Sequence, residues 1–144
     1  MSAVKGTARL LVLAGAAKPS PAIGQALGPL GVNMMDFCKD FNAKTSAYKA
    51  SALLRVKLTA LEDRTFTYEV HAPPVTWYLK RVTGLAKGSP APGKVVAGNL
   101  SLKAVYEIAV SKEKHDAMCT GLPLESIARS VAATAKTMGL KLVR

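Results

Sequence analysis

PPVTWYLKRVTGLAKGSPAPGK, Pro73 to Lys94, holds two prolines that stop a strand, a short helical segment, and then a loop of little but Gly, Pro, Ser, Ala and Lys. It divides the chain in two. From Val70 through Tyr106 no Asp or Glu appears, while Lys80, Arg81, Lys87, Lys94 and Lys103 fall inside, so the segment is a positive field with no internal neutralisation. Such a field is the footprint of a phosphate-bearing partner. A solvated linker with idle lysines is the plain alternative, and the charge of the whole chain argues against it.

Working outward, 144 residues allow one domain or two small ones, each near the lower size limit for a self-sufficient core. Twenty Lys plus Arg stand against 9 Asp plus Glu, a net charge of +11, which points to nucleic acid or another anionic surface. The few, scattered aromatic residues do not form the stacking platform of a single-strand binder, so folded RNA or a duplex is the expected partner. No apolar run reaches the roughly 20 residues that span a bilayer, and no membrane partner is expected. Cys38 and Cys119 lack metal-ligand spacing and read as free thiols; no metal, cofactor or catalytic residue is expected.

Before the divide, the acid-free start with Lys5 and Arg9 resembles a mitochondrial presequence in composition, yet Arg9 to Leu13 reads as a first strand ended by Gly15. Lys18 to Gly31 alternates Pro19, Pro21 and Pro29 with Gly24, Gly28 and Gly31, leaving room for one short helix over Pro21 to Leu27. The elbow is either structural or a contact surface. VNMMDFCKDFNAKT follows as an amphipathic helix capped by Asn33, with Met34, Phe37, Cys38 and Phe41 on its core face. Leu54, Val56 and Leu58, then Phe66, Tyr68 and Val70, alternate with polar residues across a Glu62–Asp63 turn and predict a hairpin with one wet face. His71 has no triad or metal companion and reads as an ordinary strand-end histidine.

Beyond the divide, Val75, Leu79 and Val82 predict a short apolar stripe closed by Gly84. Gly88 to Lys94 fits G-x-x-x-x-G-K, but Val95 stands where a Mg-binding hydroxyl is needed, and Pro90 and Pro92 remove two backbone donors. The loop is expected to be disordered until a phosphate backbone organises it. Ser101 caps a helix carrying Leu102, Val105, Tyr106 and Ala109, which ends near the mixed-charge run Lys112 to Asp116. Pro123 opens a last helix whose Leu124, Ile127, Ala128, Val131, Ala135 and Met138 form one face, with Gly139 as the stop and Leu140 to Val143 a closing strand. Its opposite face collects Ser126, Ser130, Ala133 and Thr137, flanked by Arg129 and Lys136. Small hydroxylated residues let a helix backbone approach a ribose-phosphate surface, and basic flanks supply the attraction.

GVNMMDFCKDFNAKT, the Pro/Gly run before it, PPVTWYLKR and SVAATAKTMGLK occur in the order and spacing of the bacterial-type large-subunit ribosomal protein L-eleven (L11) family, and the resemblance covers nearly the whole chain. VTWYLK and PLESIARS look more like its mitochondrial branch. The resemblance implies an α+β protein of two small domains at the stalk base, in the GTPase-associated centre. Residues 1–72 would form an N-terminal α/β domain with a three-stranded antiparallel sheet, facing translation factors. Residues 73–76 would be a hinge at Pro73 and Pro74, and 77–144 a three-helix domain binding large-subunit rRNA. The RNA contacts would be Lys80, Arg81, Gly84, Lys87, Gly88, Ser89, Lys94, Lys112, Ser126, Arg129, Ser130, Ala133, Thr134, Lys136, Thr137 and Met138. Factors and thiopeptides would face Pro19, Ser20, Pro21, Ala22, Gly24, Gln25 and Gly28. Implied partners are stalk proteins of the L-ten and L-seven/L-twelve types, elongation factor G and other translational GTPases. The implied place is the mitochondrial ribosome in the matrix, with plastid or bacterial cytoplasm as alternatives. The family's usual prolines are absent at Ala22 and Gln25, and its usual glycine at Ala133.

Two other function classes compete. A small nucleotide hydrolase would use the Gly88 to Lys94 loop, but no His, Cys or paired-carboxylate constellation accompanies it. A helical DNA-binding module would suit three short helices, yet no Asn/Gln/Arg trio is placed to read base edges.

Overall fold

The structure, a computed structural model, describes residues 3–144. Two compact units meet in sequence between Pro73 and Pro74. The first contains β1 (Val4–Leu13), α1 (Pro21–Leu27), α2 (Met34–Lys44), β2 (Leu53–Leu61) and β3 (Phe66–His71). The second contains α3 (Val75–Thr83), β4 (Gly98–Ser101), α4 (Leu102–His115), α5 (Leu124–Thr137) and β5 (Leu140–Val143).

In the first unit β1, β2 and β3 form an antiparallel sheet in that order. The alternation expected of the hairpin is present in the central strand, where Leu54, Val56, Leu58 and Ala60 are buried on one face. Phe37 and Phe41 of α2 are buried, and with Phe66 and Tyr68 of β3 form an aromatic cluster with ring centroids 5.6 to 6.4 Å apart. Edge-to-face contacts of this kind add stabilisation beyond the area they bury. Tyr68 donates its hydroxyl to Asp40 at 2.7 Å, and burial, with that carboxylate second, pushes its ionisation well above the ordinary tyrosine range. β1 begins earlier than its apolar run suggests, because β2 offers a ladder reaching back to Val4 opposite Leu61. A Cβ on Gly6 would meet Leu30 at 2.8 Å, so the glycine is where the turn after α1 rests on the strand.

The short proline-bounded helix and the Asn33 cap stand as expected: the Ser20 hydroxyl accepts from Ile23 N–H, and the Asn33 side chain from Met35 N–H. Such caps are worth about 1 kcal/mol each. Asn42 fastens the elbow to α2, accepting from Ala17 N–H at 2.8 Å and donating back to the Ala17 carbonyl at 3.0 Å. Thr45 is buried with both hydroxyl functions engaged, donating to the Phe41 carbonyl and accepting from Gly15 N–H.

The core of the second unit is Leu79, Leu100, Val105, Ile108, Val131, Ala135, Met138 and Leu140. Beside its helices lies a parallel pair, β4 with β5, from Gly98 opposite Leu140 to Ser101 opposite Val143. Of the two, β5 is legible in the sequence because Leu140, Lys141 and Leu142 alternate, whereas Gly98 to Ser101 offers a single apolar residue, Leu100. Two stripes need correction. Val82 is exposed, leaving Leu79 as the buried residue of α3. On α4 Leu102 and Tyr106 are exposed, while Val105, Ile108 and Ala109 are buried. Apolar spacing marks a helical face but not which of two overlapping faces meets the neighbours.

Candidate nucleic-acid interface

The outer face of α5 carries small side chains, and three of the helix's hydroxyls bond back to its own carbonyls. Ser126, Ser130, Ala133 and Thr137 are exposed, as are Arg129 and Lys136, while Thr134 is half-buried. Ser130 donates to the Ile127 carbonyl at 2.8 Å, Thr134 to the Ser130 carbonyl at 2.9 Å, and Thr137 to the Thr134 carbonyl at 2.7 Å. These three hydroxyls donate to the helix backbone, so their oxygens keep acceptor capacity for a partner. That suits a partner that brings its own donors, such as ribose 2′-hydroxyls. The opposite face of the helix is fixed by burial of Ile127, Val131 and Ala135.

Arg129 is not a free cation. Its guanidinium lies 2.6 Å from Glu125, four residues back, with both side chains exposed. An exposed pair of this type is worth well under 1 kcal/mol, so a phosphate can displace the carboxylate.

Contrary to the expected disorder, the loop from Gly84 to Gly98 is folded on the protein's own groups. Gly84 ends α3 in the left-handed conformation. Ser89 N–H donates to the Met138 carbonyl at 2.9 Å, and the Ser89 hydroxyl donates to the Val95 carbonyl at 2.9 Å while accepting from Ala91 N–H at 3.2 Å. Val95 N–H donates to Ala91 and Ala97 N–H to Gly139. Gly139, with φ 79°, is where the loop seats: a Cβ there would run into the Ser89 side chain and lie 3.1 Å from the Val95 carbonyl. Gly88 is similarly close, since a Cβ at that position would fall 3.3 Å from the Met138 carbonyl. The conformation presents Lys87 and Lys94 to solvent. Lys80 and Arg81 are exposed on α3, Arg81 with its guanidinium 5.2 Å from the Trp77 ring centroid.

Two residues expected among the contacts lie inside. Lys112 and Asp116 pair at 2.6 Å with side-chain exposures of 6% and 1%, and Asp116 also accepts from Met118 N–H. This lysine ties the end of α4 to the following turn instead of offering charge to a phosphate. Met138 belongs to the core, and its contribution to the loop is through its backbone carbonyl. Sequence alone could not separate Lys112 from the exposed Lys114, although the i,i+4 spacing to Asp116 was the available signal.

In the first unit Pro19, Pro21, Ala22, Gln25 and Gly28 are exposed, and Ser20 and Gly24 half-buried, while Ile23 and Leu27 anchor α1 in the core. A groove of about 800 Å³ runs between α1 and β1, with Arg9, Leu11, Lys18, Ala22 and Gln25 among its walls. The elbow therefore anchors in the core through Ile23 and Leu27 and leaves Pro19, Pro21, Ala22, Gln25 and Gly28 outward. Cys38 is buried, which pushes its thiol up, and both cysteines are free. Among the described residues no His, Cys, Asp or Glu cluster is arranged to hold a metal, and no helix is long and apolar enough to cross a membrane.

Comparison with known proteins gives two successive matches along the chain. Residues 8–66 match the family described as ribosomal protein L11, N-terminal domain, and residues 71–142 the family described as ribosomal protein L11, RNA binding domain. A relative named large ribosomal subunit protein uL11m, from the fission yeast Schizosaccharomyces pombe, is 44% identical over 135 residues, which cover 94% of this chain and 93% of that protein.

Proposed function

This chain belongs to the ribosomal protein L11 family of the large ribosomal subunit, with that family's RNA-binding domain, and on that premise we propose that it binds large-subunit rRNA at the stalk base through α5 and the Gly84–Gly98 loop. The observation that carries the reading is the outer face of α5, where Ser126, Ser130, Ala133 and Thr137 stand exposed beside Lys136. Apart from the Glu125–Arg129 pair at its N-terminal end, this face carries small residues where an ordinary solvent face would carry Glu and Lys pairs, and it admits a close backbone approach. Lys80, Arg81, Lys87 and Lys94 add long-range attraction to phosphate, and the loop reaches the RNA already shaped. Lys112 and Met138 are assigned to the protein's interior, not to the contact.

The first unit is assigned the role of facing translation factors, elongation factor G among them, in the GTPase-associated centre near the stalk proteins. Pro19, Pro21, Ala22 and Gln25 give it a rigid, exposed surface, supported by the Asn42 clamp. Proline-bounded segments lose little entropy on docking. Pro73 and Pro74 at the boundary of the units are the natural pivot. The identity to the yeast protein, whose name carries the suffix of mitochondrial ribosomal proteins, supports a place in the mitochondrial ribosome.

Filter binding of the full chain to a stalk-base rRNA transcript, to duplex DNA and to radiolabelled ATP tests the RNA assignment. The transcript should be retained preferentially and ATP not at all. Equal retention of duplex DNA and transcript would sink the reading.

A further inference from the structure

We infer that the recess at the C-terminal end of α5 is a seat for one unstacked nucleobase of the bound RNA; the inference rests on the RNA-binding reading above and deepens it. The recess has a volume of about 470 Å³ and lies between the loop, the Gly139 turn and β5. This is within the range of roughly 300–1,000 Å³ typical of small-molecule sites. Val95 and Val96 line it with Leu140 and Leu142, and Lys136 and Lys141 also line it. Val95 and Val96 are 51% and 60% exposed, within the stretch from Val70 to Tyr106 that carries no Asp or Glu. Two neighbouring valines exposed to water on a loop that is otherwise well hydrogen-bonded are left without a partner by the protein's own fold.

The surrounding charge decides what kind of partner covers them. A protein side chain could fill an apolar recess, but Lys136 and Lys141, with Lys94 next in sequence to Val95, favour an apolar group that arrives attached to phosphates. An unstacked nucleotide has that composition, a flat ring between two anionic links, and the loops and bulges of folded RNA offer such splayed-out bases to proteins. Lys136 also belongs to the outer face of α5, one residue from Thr137, so the recess continues the proposed contact surface. The backbone carbonyls of Val95 and Gly139 already accept from Ser89 and Ala97. With those two acceptors engaged and Lys136 and Lys141 given to the flanking phosphates, the recess holds a base by surface contact with Val95 and Val96 and does not read its edge. Exchange of one purine for another should therefore leave affinity nearly unchanged.

The probe is a stalk-base rRNA transcript, prepared intact and as a series in which each unpaired nucleotide in turn is replaced by an abasic ribose. Its affinity for the full chain is measured by filter binding. One abasic position should weaken binding about threefold, less than the roughly fivefold or greater loss typical of an aromatic platform. Val96→Ser should weaken binding of the intact transcript by a similar factor and remove the penalty at that one position. Val96→Tyr should tighten binding and enlarge the penalty. Val4→Ser, a change at an equally exposed valine of the other unit, should alter neither. If wild type binds the intact transcript and every abasic transcript alike, or if the penalty persists unchanged in Val96→Ser and Val96→Tyr, the inference is overturned while the RNA reading stands. Failure of wild type to bind the intact transcript would overturn that reading, and this one with it.

Discussion

Ala133 and Lys112 show how differently single residues act in a basic helical unit. Ala133 is exposed on α5 with only a methyl group to hold a partner away. Ala133→Leu should weaken binding to the stalk-base transcript about tenfold, ~1.4 kcal/mol, through separation of the surfaces. Circular dichroism should be unchanged, since leucine is nearly as good a helix former as alanine. Unaltered affinity would move the contact face elsewhere. Lys112 has the opposite profile. Lys112→Met would leave Asp116 buried without its cation and should destabilise the protein by about 3–5 kcal/mol in urea unfolding. Among molecules still folded, the salt dependence of RNA binding should match wild type, because this ammonium faces inward. A flatter salt dependence would return Lys112 to the contact surface.

At the scale of elements, the loop and α5 behave as one piece because Gly139 lets them touch. Gly139→Ala puts a methyl group against Ser89 at a φ of 79° and should cost about 1–3 kcal/mol. Hydrogen exchange should show early loss of protection at Ser89 and Ala97, whose amides bond across this junction. Gly15→Ala is the matched comparison: its φ is 64°, nothing lies within 4 Å of the added methyl, and it should show backbone strain alone. Equal destabilisation by the two changes would mean that the junction adds nothing beyond conformational strain. On the elbow, Ala22→Pro with Gln25→Pro should strengthen thiopeptide inhibition of factor-dependent GTP hydrolysis on reconstituted ribosomes without changing RNA affinity. Unchanged inhibition would remove both positions from the drug-facing surface.

For the molecule as a whole, charge is distributed unevenly: residues 73–144 carry 11 basic and 4 acidic groups, and residues 1–72 carry 9 and 5. Counterion release makes RNA affinity fall with salt in proportion to the phosphates neutralised. Removing Lys80, Lys87 and Lys94 together should lower the logarithmic salt slope by about 1 for each that meets a phosphate, while removing Lys5, Arg9 and Lys18 should leave it unchanged. The reverse result would assign the RNA to the first unit. The sequence by itself determined the division at Pro73–Pro74, the α2 face of Phe37, Cys38 and Phe41, the β2–β3 alternation and the small-residue stripe of α5, because each is written in local period or backbone chemistry. The motifs also carried the family. Tertiary structure decided which lysine is buried, which α4 stripe meets the core, the β4–β5 pairing, the folded loop and the apolar recess beside it. These depend on contacts between segments distant in the chain, such as Ser89 with Met138 and Ala97 with Gly139. Periodicity reports the faces of an element, but the partner that covers each face is chosen only when the chain has closed on itself.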